Sequence, residues 1–365
     1  MAATDYSSLY KLCDRSDTVG IPAIQSLLSS SSPSTRTQFL AYQDIYCWTP
    51  LHAACHRGHH QVVEMLLAAG SNKDTPDKNG STPLYVACRN GHQVVELLLT
   101  TGANKEIPNN NGRTPLYVAC YHGHHRVVEM LLVSGATKET PAKSGQTPLS
   151  AACEYGHHQF VEMLLTAGAY TETPRNDGQA LLNVACRNGH YQVVEMLLAS
   201  GATKEIPSEY GWTPLFTACE YGHHQVVEIL LAAGASKATP TNDGCTPLLV
   251  ACKAGYHQVV EVLLRYGANP ETKDAFGFTL LWNACLRPHN LAMIRMLLYA
   301  GASIYCRNQI GVALLQDPSI RQEHRDILFE HHRNISLFHL LWTWYQRSDQ
   351  LGNVKLDSER WCFLF

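Results

Sequence analysis

Thiols and imidazoles occur close together in the stretch TPLYVACYHGHH, residues 114–125. In this stretch, Cys120 is followed by His122, His124 and His125. Cys and His are the ligands that zinc prefers, and a Cys–His pair can also form the nucleophile and base of a hydrolase. The stretch therefore raises two hypotheses, a metal site and a thiol active site.

The rest of the chain argues against both hypotheses. The thiol recurs at Cys55, Cys88, Cys153, Cys186, Cys219, Cys252 and Cys285. An active site is needed once, and a free Cys also packs as a small hydrophobic residue. The Cys and the His are separated by a glycine that ends the helix, so their side chains point in different directions, whereas zinc needs about four converging ligands. No HExxH, GxxxxGK[ST], GxSxG or CxxC motif occurs. We predict no catalytic residue, no metal site and no cofactor.

Composition narrows the class further. Hydrophobic residues make up 45% of the 365 residues, which is enough for a buried core, and the formal net charge is −3. No long basic run is present, so we expect no nucleic-acid partner. No apolar stretch approaches the ~18 residues of a membrane span, so we expect no membrane insertion. Thirteen cysteines without a signal-like N-terminus predict reduced thiols and a cytoplasmic, or also nuclear, monomeric protein.

The motif that surrounds the thiol repeats along the chain. Eight segments begin in the same phase, with a spacing of 33 residues and one step of 32. These repeats 1–8 begin at Thr49, Thr82, Thr114, Thr147, Ala180, Thr213, Thr246 and Thr279. A fixed period of this size indicates a repeat architecture.

Each repeat predicts two helices and an extended loop. In repeat 3, Thr114 is suited to cap a helix that starts at Pro115, and Gly123 is suited to end it. A second apolar helical stripe follows and ends before Gly135. The segment 138–146 then contains the Pro, Ser and Gly of a hairpin. One such repeat cannot bury its apolar face alone, so stacking on neighbours is required.

The pattern G-x-TPL-x-x-A-[AC]-x-x-GH-x-x-VV-x-x-LL-x-x-GA resembles the ankyrin repeat. The resemblance implies an all-α repeat fold, an ankyrin solenoid of helix–turn–helix–hairpin units that binds proteins. We expect eight repeats over residues 44–302 and degenerate capping units at both ends. Residues 1–43 are expected to form a degenerate helix pair and a flexible Ser-rich linker. Residues 303–332 are expected to form a degenerate ninth repeat.

Three repeats depart from the pattern. Repeat 2 lacks one residue between its helices, which predicts a local kink or a shortened turn. Repeat 5 has Ala180 in place of the capping Thr. Repeat 8 has Pro288 where the glycine between the helices should stand, and its turn must differ because proline cannot adopt the left-handed conformation.

The last segment, residues 333–365, fits no repeat and is expected to form a helical tail. Leu337, Leu340, Leu341 and Trp344 share one helical face, and Tyr345 lies beside it. The face could cap the last repeat or bind a partner. Ser336 and Leu337 also resemble the start of a SOCS box, which would imply elongins and a cullin as partners through 334–365 and a ubiquitin-ligase substrate receptor. Leu341 and Tyr345 depart from that motif, and no proline follows Leu356.

Ankyrin arrays bind partners through hairpin tips and the inner side of the first helices, so the resemblance implies candidate binding residues. At the hairpin tips these are Tyr46, Trp48, Arg113, Tyr210, Trp212, Phe276 and Phe278. At the ends of the first helices they are Arg57, Arg89, Tyr121, His122, Glu154, Tyr155, Arg187, Glu220, Tyr221 and Lys253. Tyr, Trp and Arg are enriched at binding hot spots. The charges alternate in sign, which disfavours a purely acidic or purely basic partner. We expect an adaptor or scaffold, and replacing both Tyr210 and Trp212 by alanine should abolish binding without loss of stability.

Overall fold

The computed structural model describes residues 5–15, 20–172, 180–288, 290–308, 310 and 312–350, without the side chains of 337–350. The chain divides into two compact units. Unit 1 comprises residues 1–221 and 232–235, and unit 2 comprises 222–231 and 236–365. Regular structure in the described residues is helical, apart from isolated antiparallel bridges at Lys273–Thr279 and Arg307–Ala313.

The helices follow the repeat register. Unit 1 contains α1 (Ser7–Arg15), α2 (Gly20–Ser30), α3 (Pro33–Ala41), α4 (Pro50–Arg57), α5 (His60–Ala68), α6 (Pro83–Asn90), α7 (Val94–Thr100), α8 (Pro115–His122), α9 (His125–Val133), α10 (Pro148–Glu154), α11 (His158–Thr166), α12 (Leu181–Asn188), α13 (Tyr191–Ala199) and α14 (Pro214–Glu220). Unit 2 contains α15 (His224–Ala232, its last residue in unit 1), α16 (Pro247–Ala254), α17 (His257–Arg265), α18 (Leu280–Leu286), α19 (Leu291–Tyr299), a 3₁₀ turn (Leu314–Gln316) and α20 (Gln322–Gln350).

The first helix of each repeat starts as the sequence predicts. The Thr114 hydroxyl accepts a hydrogen bond from the Tyr117 amide at 3.2 Å, and Pro115 occupies the first helical position. The equivalent threonines of repeats 1, 2, 4, 6, 7 and 8 make the same cap. Ala180 provides no side-chain cap, so helix α12 starts without a bond that is worth about 1 kcal/mol.

Repeat 8 behaves as predicted, whereas the deletion in repeat 2 shortens the second helix and not the turn. In repeat 2, the missing residue shortens the second helix: α7 has 7 residues, whereas α9 has 9. Val94, Val95 and Leu98 remain buried, so the deletion shortens the helix and leaves its apolar stripe in place. In repeat 8, the residue after α18 is Arg287 in an extended conformation, in place of the left-handed glycine found after α4.

The prediction of a flexible Ser-rich linker is wrong. Residues 33–41 of that segment form helix α3, which begins at Pro33 after a cap: the Ser32 hydroxyl accepts a hydrogen bond from the Thr35 amide at 3.3 Å. Phe39 and Leu40 are buried, and the Phe39 ring lies 5.5 Å from that of Tyr6. Serine followed by proline is a helix start here. Phe39 and Leu40 hold helix α3 against the degenerate helix pair α1 and α2.

The C-terminal boundary between 332 and 333 also needs correction. Helix α20 runs without a break from Gln322 to Gln350, so the degenerate ninth repeat and the tail share one helix. No glycine or proline lies between these bounds, and nothing ends the helix. The first helix of the ninth repeat is reduced to the 3₁₀ turn at Leu314, because Pro318 disfavours a helical conformation at Asp317.

Candidate protein-binding surface

The repeated thiols lie in the core. Cys55, Cys88, Cys120, Cys153, Cys186, Cys219, Cys252 and Cys285 are all buried and unbridged. Burial raises the pKa of each of these thiols, to about 12 for Cys252 and Cys285. A raised pKa suppresses the thiolate that nucleophilic attack or metal binding requires.

We expect labelling with maleimide to distinguish the buried repeat thiols from the partly exposed ones by their rate of reaction. In the folded protein at mildly alkaline pH, the partly exposed Cys47, Cys245 and Cys306 should be labelled first, and the eight repeat thiols only after denaturation in urea. Mass spectrometry of peptides assigns the label to each position. Rapid labelling of any repeat thiol in the folded state would contradict its structural role.

The histidines after the turn connect successive repeats. Nε2 of His124 lies 2.9 Å from the carbonyl oxygen of Arg89, at the end of the first helix of the preceding repeat. His92 and His190 make the equivalent contacts with His56 and Glu154 at 2.8 Å and 3.1 Å. The predicted bond to backbone around the turn is therefore present, but the carbonyl belongs to the neighbouring repeat. Among the described residues, no group of three or more His, Cys, Asp or Glu side chains is arranged to hold a metal ion.

The inner side of the first helices carries a column of three side chains per repeat. We use the name inner column for three residues of each repeat. They are the residue before the N-cap of the first helix, the third residue of that helix, and the residue directly after the repeated Cys. In repeat 1, the Trp48 ring lies 6.2 Å from His52 and 5.2 Å from His56. In repeat 3, the Arg113 guanidinium lies 5.3 Å from the centre of the Tyr117 ring and 5.4 Å from that of Tyr121.

The column residue Tyr121 contacts Tyr155, which follows the column residue Glu154 of repeat 4. Their ring centres are 4.6 Å apart, and their hydrogen bond is the main cause that raises the pKa of Tyr155 to about 12. Glu154 lies in the column of repeat 4, where its carboxylate accepts a hydrogen bond from the Gln146 amide at 2.7 Å. Two of the predicted binding residues are therefore brought together, with Tyr155 still 43% exposed.

A pocket of about 390 Å³ lies between repeats 5 and 6 in unit 1. It is lined by Asn183, Arg187, Ser208, Glu209, Tyr210, Trp212, Thr217 and Tyr221. Tyr210 is 69% exposed and lies 6.3 Å from Trp212 between ring centres. Trp212 is half-buried and packs on Phe216 at 5.2 Å.

Asn183 forms the floor of this pocket. Its Nδ2 donates long hydrogen bonds to the carbonyl oxygens of Ile206 and Trp212 at 3.3 Å and 3.4 Å. Because these carbonyls only accept, the amide orientation is fixed and Oδ1 must point away from them. Among the described residues, buried Oδ1 has no hydrogen-bond partner.

In unit 2, the predicted residues form a smaller group around Asp274. The Lys253 ammonium lies 3.8 Å from the Asp274 carboxylate, which also accepts a hydrogen bond from Asn283 at 3.1 Å. Phe276 is 69% exposed, whereas Phe278 packs on Trp282 at 5.3 Å. Phe276 is thus available to a partner, and Phe278 contributes mainly to packing.

The predicted residues differ in exposure. Tyr46, Arg57, His122, Tyr155, Tyr210, Tyr221 and Phe276 are exposed, and Trp48, Arg89, Arg113, Tyr121, Glu154, Arg187, Trp212, Glu220, Lys253 and Phe278 are half-buried. Arg57 is already paired with Asp14 at 3.2 Å. Burial raises the pKa of Glu220. The tail residues Leu337, Leu340, Leu341, Trp344 and Tyr345 lie in α20, and their side chains are outside the described part.

Sequence reasoning missed the middle residue of each column. Asn183 occupies this position in repeat 5, where other repeats have His52, Tyr85, Tyr117, Ser150, Phe216, Leu249 and Trp282. A polar amide at a position that is aromatic or apolar in five of the other seven repeats is a signal that the register alone could have supplied.

Comparisons with known proteins agree with this architecture. The family described as Ankyrin repeats (3 copies) matches in overlapping blocks over residues 19–109, 51–142, 101–174, 136–208, 167–241, 200–274 and 236–308. The crystal structure of the ankyrin repeat domain of Bcl-3, a member of the IkappaB protein family, is similar with a TM-score of 0.52 and 28% identity. That match covers 59% of this chain and 98% of that chain.

Shorter segments are similar to curated proteins. The 2-5A-dependent ribonuclease of Mus musculus is 35% identical over 83 residues, which are 23% of this chain and 10% of that protein. NF-kappa-B inhibitor alpha of Gallus gallus is 42% identical over 53 residues, which are 14% of this chain and 17% of that protein. The similarity thus spans under a fifth of either relative. No helix among the described residues is long and apolar enough to cross a membrane. On the extent of the family match and the helix pairs that it covers, the chain belongs to the ankyrin repeat family.

Proposed function

We propose that this chain is a non-catalytic adaptor or scaffold that binds a protein partner on its inner columns, with the pocket between repeats 5 and 6 as the main anchor point. The observation that carries the proposal is the pocket itself. Tyr210, Trp212 and Tyr221 line it, and aromatic side chains in a concave site are typical binding hot spots. The names of the NF-kappa-B inhibitor relatives describe proteins that act on another protein, which supports a protein-binding role here.

The chemistry of the pocket favours an inserted side chain that donates a hydrogen bond. Asn183 Oδ1 is a buried acceptor without a partner among the described residues, and leaving such a group unpaired costs about 1–3 kcal/mol. A donor on the incoming side chain would remove this cost, while the three rings supply apolar contact. Binding free energy would then come from a few central residues.

Replacing Tyr210 by alanine is expected to remove partner proteins from the chain without lowering its melting temperature. Tyr210 is 69% exposed, so its ring contributes little to folding, and truncation of a hot-spot aromatic costs at least about 2 kcal/mol of binding. Proteins that co-purify with the full chain can be quantified by mass spectrometry. Tyr170→Ala is the matched control, since Tyr170 is also in unit 1 and 69% exposed but does not line the pocket. If both variants retain the co-purifying proteins equally, the pocket is not the binding site.

Trp212 is a poorer test than the sequence suggests. Its ring packs beside that of Phe216, with ring centres 5.2 Å apart, and its carbonyl oxygen accepts a hydrogen bond from the Ser208 amide at 3.0 Å. Trp212→Ala therefore changes both the pocket and the packing of repeat 6. The expectation that Tyr210 and Trp212 can both be truncated without loss of stability does not fit this half-buried ring.

The ligase alternative receives no support from the tail. A box helix should begin near Ser336, whereas α20 passes through this residue without a new start. Residues 351–365, where the rest of the motif would lie, are outside the described part. Elongins and a cullin are therefore not proposed as partners. We propose a cytoplasmic or nuclear location, because the described thiols are unbridged and free thiols persist in reducing compartments.

A further inference from the structure

Two arginines give the inner columns of repeats 1–3 positive charge, and none of the column residues is acidic, although the Asp77 carboxylate accepts a hydrogen bond from Nε1 of Trp48 at 3.1 Å. They consist of Trp48, His52 and His56, then Ser81, Tyr85 and Arg89, then Arg113, Tyr117 and Tyr121. The first acidic residue of a described column is Glu154 in repeat 4, and it is bonded to Gln146. The alternation of sign that the sequence suggests therefore begins only after repeat 3. We call basic patch the column residues His56, Arg89 and Arg113 together with His122, which follows the column residue Tyr121.

The fold does not require a positive charge at Arg89. Its guanidinium has no carboxylate partner among the described residues. A cation in the last helical turn does favour the helix dipole, but Glu154 and Glu220 occupy the same register position in repeats 4 and 6. The position therefore tolerates either sign, and folding does not explain an arginine there.

Arg113 is held in place by aromatic rings. Its guanidinium lies 5.3 Å and 5.4 Å from the ring centres of Tyr117 and Tyr121, and again no carboxylate partner is present among the described residues. Such ring contacts fix the orientation of an arginine and leave its N–H groups available for a planar anion. Arg89 and Arg113 both act on Tyr85 and on His122, which places the two cations around one area.

The two histidines of the patch respond to this charge. Burial is the largest cause that lowers the pKa of His56, followed by the charges of Arg89, Arg57 and His92, while Asp14 opposes them. Burial also lowers the pKa of His122, and His124, Arg89 and Arg113 add to it. Both imidazoles are therefore held neutral near pH 7 beside cations.

We propose that the basic patch of repeats 1–3 binds an acidic segment of the partner protein, with its Asp or Glu carboxylates on Arg89 and Arg113. The proposal rests on the proposed protein-binding function and adds the chemistry of the partner. Carboxylates supply the charge that the patch lacks, and arginine forms paired hydrogen bonds with them. The aromatic pocket of repeats 5 and 6 would hold a different part of the same partner.

The patch also makes binding sensitive to pH. A bound carboxylate favours the charged form of His56 and His122, so the pKa of each imidazole rises on binding. Binding then takes up protons, and affinity increases as the pH falls from about 7.5 to about 6. For His56 the facing groups are Arg89, Arg57, His92 and Asp14. For His122 they are His124, Arg89, Arg113 and the Tyr121 ring, whose centre lies 4.9 Å from that of the imidazole. The bound anion has to outweigh these cations.

The test uses the full chain and a short fluorescein-labelled peptide in which Glu and Ser alternate. Fluorescence anisotropy should show binding that weakens with salt, and about tenfold weaker binding for Arg89→Gln with Arg113→Gln. Arg126→Gln is the matched control, since Arg126 is exposed on the second helix of repeat 3 and should leave affinity unchanged. His56→Asn with His122→Asn should remove most of the gain at low pH. Melting temperatures verify that each variant is folded.

Several outcomes would overturn the proposal. These are equal binding of a peptide with Gln in place of Glu, an equal effect of Arg126→Gln, or binding only of a phosphoserine version of the peptide. If the arginine variants leave the peptide bound while Tyr210→Ala still releases co-purifying proteins, the acidic partner is rejected and the protein-binding function stands. If neither set of variants has an effect, both proposals fail.

Discussion

Gly91→Ala is expected to destabilise unit 1 by about 3 kcal/mol, whereas Gly135→Ala should cost only about 1 kcal/mol. Both glycines have a positive φ, +74° and +78°, so a methyl group brings similar backbone strain at either site. The difference lies in the neighbouring repeat. A Cβ at Gly91 would lie 2.5 Å from Nδ1 of His124, while a Cβ at Gly135 would meet nothing within 4 Å.

The His124 ring cannot move away from this methyl group without a cost. Its Nε2 is bonded to the Arg89 carbonyl oxygen at 2.9 Å, and that carbonyl lies two residues before Gly91. A displaced ring would therefore lose the bond that connects repeats 2 and 3. The excess cost of Gly91→Ala over Gly135→Ala measures this contact between layers.

Urea unfolding followed by circular dichroism gives both free energies, with Gly135→Ala as the control for backbone strain. A second comparison is the double variant Gly91→Ala with His124→Ala. Because the smaller side chain removes the clash, the double variant should be less destabilised than the sum of the two single variants. Equal costs for the two glycine variants, or full additivity in the double variant, would show that the ring yields freely.

Trp282→Ala is expected to destabilise unit 2 by about 3–5 kcal/mol, whereas Trp282→Phe should cost only about 1 kcal/mol. Trp282 is fully buried in repeat 8 and packs against Phe278, so alanine would leave a large cavity. Its indole N–H has no hydrogen-bond partner among the described residues. Phenylalanine fills most of the space and removes this unpaired donor.

The register supplies the reason for choosing phenylalanine, since Phe216 occupies the same position in repeat 6. Urea midpoints of the two variants, read by far-ultraviolet circular dichroism, give the comparison. Leu281→Ala is a further reference, as Leu281 is fully buried but has no polar atom. A Phe variant as unstable as the Ala variant would mean that the indole N–H does have a stabilising partner.

The period and the caps were sufficient to predict the fold of the repeats. Thr114, Pro115 and Gly123 act locally, so their types determine where α8 begins and ends whatever surrounds it. The segment before repeat 1 could not be predicted in this way. Its serines suggested a linker, but helix α3 depends on the burial of Phe39 and Leu40, which is a tertiary effect.

The candidate site was predictable in its positions but not in its pairings. The register placed Arg113, Tyr121 and Tyr155 on the inner side, yet only the structure shows that they contact each other. Contacts across repeats depend on side-chain directions that a one-dimensional pattern does not contain. Asn183 was missed because aromatic or apolar residues fill its position in five of the other seven repeats.

The bond between a histidine and the preceding repeat has a consequence for how such genes change in length. Because His92 bonds to His56 in the same way as His124 bonds to Arg89, the junction between repeats 1 and 2 is equivalent to the junction between repeats 2 and 3. Unequal recombination that removes one whole repeat would bring His124 against Gly58, into the place that His92 now occupies. The shortened protein would keep its junctions, and selection could then act on the inner columns alone.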